Sequence, residues 1–421
     1  MKILIQSAKI LSADSSFHRK IKNVLIQNGR ITEIGDKNFS ADRVIPAKGM
    51  ILSTGWFDLG TAIGDPGHEQ KEDIASATRA AEAGGFTGLA VLPNTTPSVQ
   101  TKNEVSYLRS GNAGRLVQLY PLASVTRHNK GEELTEMIDL REAGAVGFTD
   151  GLRPVWHTDI FLKALQYIQK FDGVLVDHPE DTWLNLFGQM HEGINSTKLG
   201  LKGMPSIAES LALSRNLDLL RYAGGRLHAA KLSTAKSMEL IRSAKKKGLP
   251  VTCDITGYQA LFDDAALMDF DTNYKVNPPL REKSDNTALM KGLTDGTIDV
   301  LCSGHVPQDV ESKSLEFDQA DFGMINLQTF AANLVSLSEK VTWEDLIEKV
   351  TSGPRRVVGL PVPALEVGQP ADLTLLDPSR TWTLDEGTNR SKAVNSPWWG
   401  KTVTGKVIAV FNNGQFSIHA E

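Results

Sequence analysis

The sequence predicts an α/β protein: a (β/α)₈ barrel of the TIM type with a small β-sandwich domain built from both termini. Three observations predict it. Apolar, strand-like runs alternate with amphipathic helical runs through the middle of the chain. Several helical runs stop at a glycine, the residue that most easily takes the left-handed cap. Both ends of the chain read instead as short alternating strands joined by Asn-Gly turns.

At the N-terminus, ILIQSAKIL, NVLIQNGRITEIG and DRVIPAKGMIL are strands, with a turn at Asn28-Gly29. At the other end, ADLTLLDP and KTVTGKVIAVFNNGQFSIHA repeat the style, with a turn at Asn413-Gly414. The two ends therefore pair, giving a domain of residues 1–52 with 362–421 around a barrel of residues 53–361. Barrel strands are predicted near 51–59, 86–92, 116–125, 145–150, 173–178, 226–231, 250–256 and 298–303. Helices are predicted over 71–83, 132–143, 158–170, 206–222, 234–246, 284–293 and 343–350, with stops at Gly84, Gly144, Gly224 and Gly248. A doubly wound sheet fits less well, because no Gly-x-Gly-x-x-Gly follows a first strand.

Composition narrows the function. A net charge of -5 with no basic stripe argues against a nucleic-acid partner. Neither a leader pattern nor an apolar run of about 18 residues is present, so the expectation is a soluble cytoplasmic protein with no membrane role. Two cysteines, Cys253 and Cys302, exclude a disulfide framework.

Barrel chemistry sits at the C-terminal ends of the strands. Those ends carry Asp58, Asn94, Asp150, His178, Lys231, Asn277 just past strand 7, and His305. The first end reads FDLGTAIGDPG at 57–67, with Gly60, Ala62 and Gly64 at alternate positions. Alternate positions of a strand share a face, so three nearly absent side chains line up beside the Asp58 carboxylate.

GWFDLGTAIGDPGHEQKEDIASATRAAEAGGFTGLAVLPNTTP, GAVGFTDGLRPV, DHPED, MHEG, LGLKGMPSIAE, RLHAAKLSTAKSMELIRSAKKKG, KVNPPLR, IDVLCSGHVPQDVESK, ADLTLLDP and SKAVNSPWWG together resemble the cyclic amidohydrolases, specifically the bacterial long-chain dihydroorotases. The resemblance implies an amidohydrolase barrel, a composite terminal β domain and a zinc site. The family's first strand reads Asp-x-His-x-His-x-Arg-Glu-Pro-Gly, where the histidines bind zinc and the arginine grips the substrate carboxylate. Here those positions are Gly60, Ala62 and Gly64. By the same resemblance the ligand histidine of strand 6 is Lys231, and the catalytic aspartate of strand 8 is Gly304. Asp150 and His178 are the surviving remnants of the metal set. A catalytic zinc needs about three protein ligands and a water, so no metal is expected.

Asn94, Asn277 and His305 match family residues that bind the substrate. Equally, the two asparagines suit loop turns and His305 suits a packed histidine. Lys231 is read as a cation standing where metal stood, paired with Asp150 or His178, or else as a nucleophile or base. Tyr258 and Gln259 are expected to fill the volume left by Gly60 and Ala62. His68, His157, His191 and His228 read as structural or surface residues, and Trp398 and Trp399 as an interface patch or packing. The expected function is a noncatalytic dihydroorotase-like protein of pyrimidine biosynthesis, homo-oligomeric, with aspartate transcarbamoylase as partner, since degenerate family members support that enzyme's assembly. The alternative is a cyclic amidohydrolase with an altered metal site or none, for which Asp150 and Lys231 are the catalytic candidates. A small-molecule sensor holding a ligand on Asn94 and Asn277 is a third option.

Overall fold

The structure, a computed structural model, describes residues 1–419; residues 420 and 421 of the predicted terminal domain lie outside the described residues. The two ends of the chain form one sheet. Its order is Gln415–Ile418, Thr402–Asn412, Leu373–Thr383, Ile51–Thr54, Lys2–Ile10, Ile21–Gln27 and Arg30–Gly35, with Arg43–Pro46 added parallel to Lys2–Ile10. Both Asn-Gly turns have positive φ at both residues, +51° and +71° at Asn28-Gly29 and +51° and +72° at Asn413-Gly414. That geometry matches the right-handed twist of the flanking strands. The two turns touch: a Cβ on Gly29 would lie 2.7 Å from the Gly414 Cα.

The predicted strand 51–59 is in fact two strands in different sheets. Ile51–Thr54 pairs antiparallel with the C-terminal strand, and Trp56–Thr61 opens the barrel. Gly55 is the crossing point. A Cβ there would lie 2.0 Å from Asp372 Oδ1 and 2.2 Å from Thr87 Oγ1, so only glycine passes. Arg355 clamps the same joint, donating to the Gly55 carbonyl at 2.7 Å and to Asp372 at 3.1 Å.

The barrel strands are Trp56–Thr61, Phe86–Val91, Gln118–Ala123, Gly147–Phe148, Leu175–Asp177, Leu227–Ala229, Val251–Thr256 and Val300–Cys302, each parallel to the next. Side chains alternate across them. Phe57, Leu59, Ala90, Leu122, Val176 and Val300 form one apolar cluster, while Trp56, Leu89, Val91, Leu119 and Leu175 pack with the helices in another. Asp58 bonds the last strand's end to the first. It accepts from the Ser303 N–H at 2.6 Å, the Ser303 hydroxyl at 2.7 Å and the Thr61 hydroxyl at 2.5 Å. Beyond it, the Ala62 N–H donates to the His305 carbonyl at 3.0 Å.

The first helix is Ile74–Gly84, capped by the Asp73 side chain and ended by Gly85 at φ +95° rather than by Gly84. The predicted 132–143 helix shortens to Met137–Ala143, because Leu134 is drawn into a bridge with Thr126. Helix Lys102–Arg109 was not predicted, although Thr101 and Glu104 form a capping box in front of it. The Trp398 ring packs 5.4 Å from Phe262, centroid to centroid. Among the described residues no helix is long and apolar enough to cross a membrane.

Candidate functional site

The strand ends hold the predicted residues in separate contacts. Asp150 is buried, its Oδ1 accepting the Thr126 N–H at 2.9 Å while the Thr126 hydroxyl donates to Oδ2. Burial raises its pKa to about 7, outweighing those bonds, and the neighbouring Asp177 adds to the rise. His178 leans on Glu180, with Nε2 3.3 Å from Oε2, and neither ring nitrogen forms an aligned hydrogen bond within the described residues. Burial pushes Glu180 upward, but His178, Asn277 and Asn185 together hold it at about 2.

Lys231 is 6% exposed and left-handed at φ +54°. Its backbone N–H donates to Asp254 Oδ1 at 2.6 Å. The expected pairing with Asp150 or His178 is not formed: Asp150 is taken up by Thr126, His178 by Glu180, and the Lys231 ammonium has no ion pair within the described residues. His228 instead makes the inner polar pair, with Nε2 2.8 Å from Asp254 Oδ2 and Nδ1 2.8 Å from the Thr252 hydroxyl.

The asparagines are engaged by the protein. Asn94 donates to the Asp150 carbonyl at 3.0 Å and accepts the Leu152 N–H at 2.9 Å, fastening the loop after strand 4. Asn277 donates to Glu180 Oε2 at 3.0 Å. His305 is buried; its Nδ1 accepts the Asn326 N–H at 3.1 Å and its Nε2 faces Glu72 Oε2 at 3.5 Å.

The glycines differ in what surrounds them. Gly60 is a bulge at φ +105°, and a Cβ there would meet Leu92 at 3.7 Å. A Cβ on Gly64 would lie 2.1 Å from the His68 carbonyl oxygen, so the backbone itself closes that position to an arginine. A Cβ on Gly304 would lie 2.8 Å from both Cε1 and Oη of Tyr258. Tyr258 therefore occupies the room in front of Gly304. Gln259 turns away to the Pro278 carbonyl at 3.2 Å.

This donor set does not fit a catalytic zinc. Among the described residues no three His, Cys, Asp or Glu side chains converge for a metal ion. Asp150 and His178 are each engaged elsewhere, and Lys231 adds a cation to the same strand ends.

Outside these contacts lies an open cleft of about 520 Å³, at the ends of strands 1, 2, 3, 4 and 8. Ala62, Gly64 and Asn94 line it, and so do Ser98, His128, Asn129 and Arg153, which carried no functional reading in the sequence. Arg153 stands inside the FTDGLRPV stretch; a cation next to a strand end was the available signal.

The sequence profile of the dihydro-orotase-like family matches residues 49–237, and that of the amidohydrolase family matches residues 189–416. A dihydroorotase of Syntrophotalea carbinolica is 38% identical over 422 residues, covering 99% of both chains. One of Syntrophus aciditrophicus is 36% identical over 421 residues, again covering 99% of both. The fold matches an L-hydantoinase (dihydropyrimidinase) of Arthrobacter aurescens with a TM-score of 0.85 at 22% identity, covering 100% of this chain and 97% of that one. With relatives of this identity along its whole length, the chain belongs to the dihydroorotase-like family of the amidohydrolases.

Proposed function

We propose that this protein is a noncatalytic dihydroorotase-like component of pyrimidine biosynthesis that supports assembly with aspartate transcarbamoylase. The observation that carries the first half is the state of the strand ends. Gly60, Ala62, Lys231 and Gly304 stand where the family resemblance puts three zinc ligands and the catalytic aspartate. The neighbours have closed in behind two of the lost side chains, the His68 carbonyl at Gly64 and Tyr258 at Gly304. Metal-bound water titrates near pH 7 against about 15.7 for free water, so without that ion hydroxide is scarce at neutral pH.

An exposed apolar surface supports the assembly role. Trp183 and Phe187 are 77% and 75% exposed. They sit on a loop tied to helix Ser206–Ala223 by the Asp181 N–H to Ala208 carbonyl bond of 3.0 Å. Ile207 and Leu211, in the first turns of that helix, are exposed as well. Apolar side chains gathered this way mark interaction surfaces.

The alternative, hydrolysis of a cyclic amide without zinc, has one observation in its favour: Asp150 at about 7 lies in the range of a general base. Its oxygens are sealed by Thr126, which weighs against it.

The test is zinc per chain, by plasma emission, on protein purified without chelator, beside a dihydroorotase assay with zinc added. The expected result is near-zero zinc, no turnover, and co-purification with aspartate transcarbamoylase that Trp183→Ser with Phe187→Ser abolishes. One or two zinc per chain with turnover would sink the noncatalytic reading. Co-purification that survives the double substitution would remove this surface from the assembly role.

A further inference from the structure

We infer that a second cavity, where the terminal sheet meets the helices of the barrel, binds a small phosphate-type oxyanion through Arg390 and the cations beside it. This inference does not depend on whether the chain hydrolyses anything. The cavity has about 270 Å³ of space and shares no lining residue with the cleft at the strand ends. Its walls come from Ala83 at the end of helix Ile74–Gly84, from strands Leu373–Thr383 and Thr402–Asn412, and from the loop between those strands. Arg390, Lys406 and His419 line it, and none of the described lining residues is acidic. The chain as a whole carries a net charge of -5, so this gathering of bases runs against its average.

The cations act on one another. Burial lowers the Lys406 pKa, and the charges of Arg380 and Arg390 lower it further. Burial also lowers His419; Lys406 and Arg390 add to that fall, while Glu82 opposes it. Neither arginine has an ion pair within the described residues, and Arg380, in strand Leu373–Thr383, makes no hydrogen bond there either. Arg390 uses only Nη1, which donates to the Gly387 and Asn389 carbonyls at 3.1 Å each. Its side-on fork, Nε with Nη2, is left open, and that fork matches two oxygens of one phosphate. An anion held there relieves the repulsion among the bases as well as filling the fork.

The walls are set without a ligand. Gln328 ties the loop that carries Arg390: its Nε2 donates to the Thr388 carbonyl at 2.7 Å, and its Oε1 accepts the Arg390 N–H at 2.9 Å. The Trp382 indole donates to the Gly405 carbonyl at 2.9 Å. A Cβ on Gly405, at φ +107°, would lie 2.7 Å from Val335 Cγ2, so this strand lies tight on helix Phe330–Leu337. Groups ordered in advance lose little freedom when a ligand arrives.

The test is isothermal titration calorimetry of the full chain at fixed ionic strength, with pyrophosphate, inorganic phosphate and phenyl phosphate as probes and sulfate as comparator. Saturable one-to-one binding of a phosphate probe is expected, about tenfold or more tighter than sulfate. Tighter binding of phenyl phosphate than of inorganic phosphate would support an organic ester lying against Trp382; the tightest binding by pyrophosphate would support an inorganic anion. Arg390→Gln should weaken binding by about tenfold or more, the loss of a charge-assisted contact. Arg380→Gln, which makes no contact of its own, should keep the thermal midpoint of the parent and weaken binding severalfold. Arg153→Gln, in the cleft at the strand ends, should leave binding unchanged. No saturable heat with any phosphate probe, sulfate binding as tight, a loss with Arg153→Gln, or binding that Arg390→Gln and Arg380→Gln both leave intact overturns the proposal.

Discussion

His191 accepts a hydrogen bond at Nδ1 from the Arg281 guanidinium, 3.2 Å away. Burial lowers its pKa from 6.5 to about 4, and the Arg281 charge lowers it further in the same direction. The folded imidazole is therefore neutral where the unfolded one already binds a proton. The stability this confers is fully present above pH 6.5 and is lost as the pH falls toward 4. The full swing is of the order of 3 kcal/mol, at about 1.4 kcal/mol per pKa unit. Urea denaturation at a series of pH values should show that slope, and His191→Gln should flatten it. The sequence marked His191 as a packing residue, and its placement agrees. Lys231 was legible as an anomaly, but the absence of its expected partners was not, because those depend on where Thr126 and Glu180 lie. Gly304 stands where the family resemblance implies an aspartate. That Tyr258 had moved into the room in front of it is a contact across two strands, which no local pattern carries.

Among the elements, the buried join between helices and strands explains several of the stretches that carried the family resemblance. Glu209, inside helix Ser206–Ala223, accepts the N–H groups of Ser233 and Thr234, each at 3.1 Å. It thereby satisfies backbone donors at the start of helix Ala235–Lys246, whose own N-cap is Thr234. Arg281 completes the cluster, donating to the Ser233 hydroxyl at 2.9 Å and the Met204 carbonyl at 2.8 Å. MHEG, GMPSIAE, KLST and NPPLR thus meet at one buried polar knot away from the cleft, so these motifs report architecture. Glu209→Ala leaves the Arg281 charge and two N–H groups without their partner, and should cost about 3 kcal/mol or more in chemical denaturation. A loss below about 1 kcal/mol would show that the knot is dispensable. Helix Lys102–Arg109 shows the opposite limit of legibility. Its capping box was visible, but its apolar stripe is only Val105 and Leu108, too short to stand out as a period.

Across the whole molecule, the barrel and the terminal sheet depend on each other through Gly55, Thr87, Arg355 and Asp372. Arg355 is buried, bonded to the Gly55 carbonyl, the Thr87 hydroxyl and Asp372, and its guanidinium lies 5.4 Å from the Phe57 ring centroid. Arg355→Ala should destabilise the protein by about 3 to 5 kcal/mol, because Asp372 loses its cation. Hydrogen exchange should quicken first in Leu373–Thr383, the strand beside the joint. Unchanged exchange there would mean that the two parts hold together without the clamp. The sequence by itself determined the fold class and the pairing of the two ends. Those follow from local signals: residue periodicity and Asn-Gly turns. Only the tertiary structure decided that Ile51–Thr54 leaves the barrel and that Asn94 and Asn277 spend their amides on the protein. Each of those rests on a contact between segments far apart in the chain, and a hydrogen bond or a steric block at such a distance leaves no mark in the order of residues.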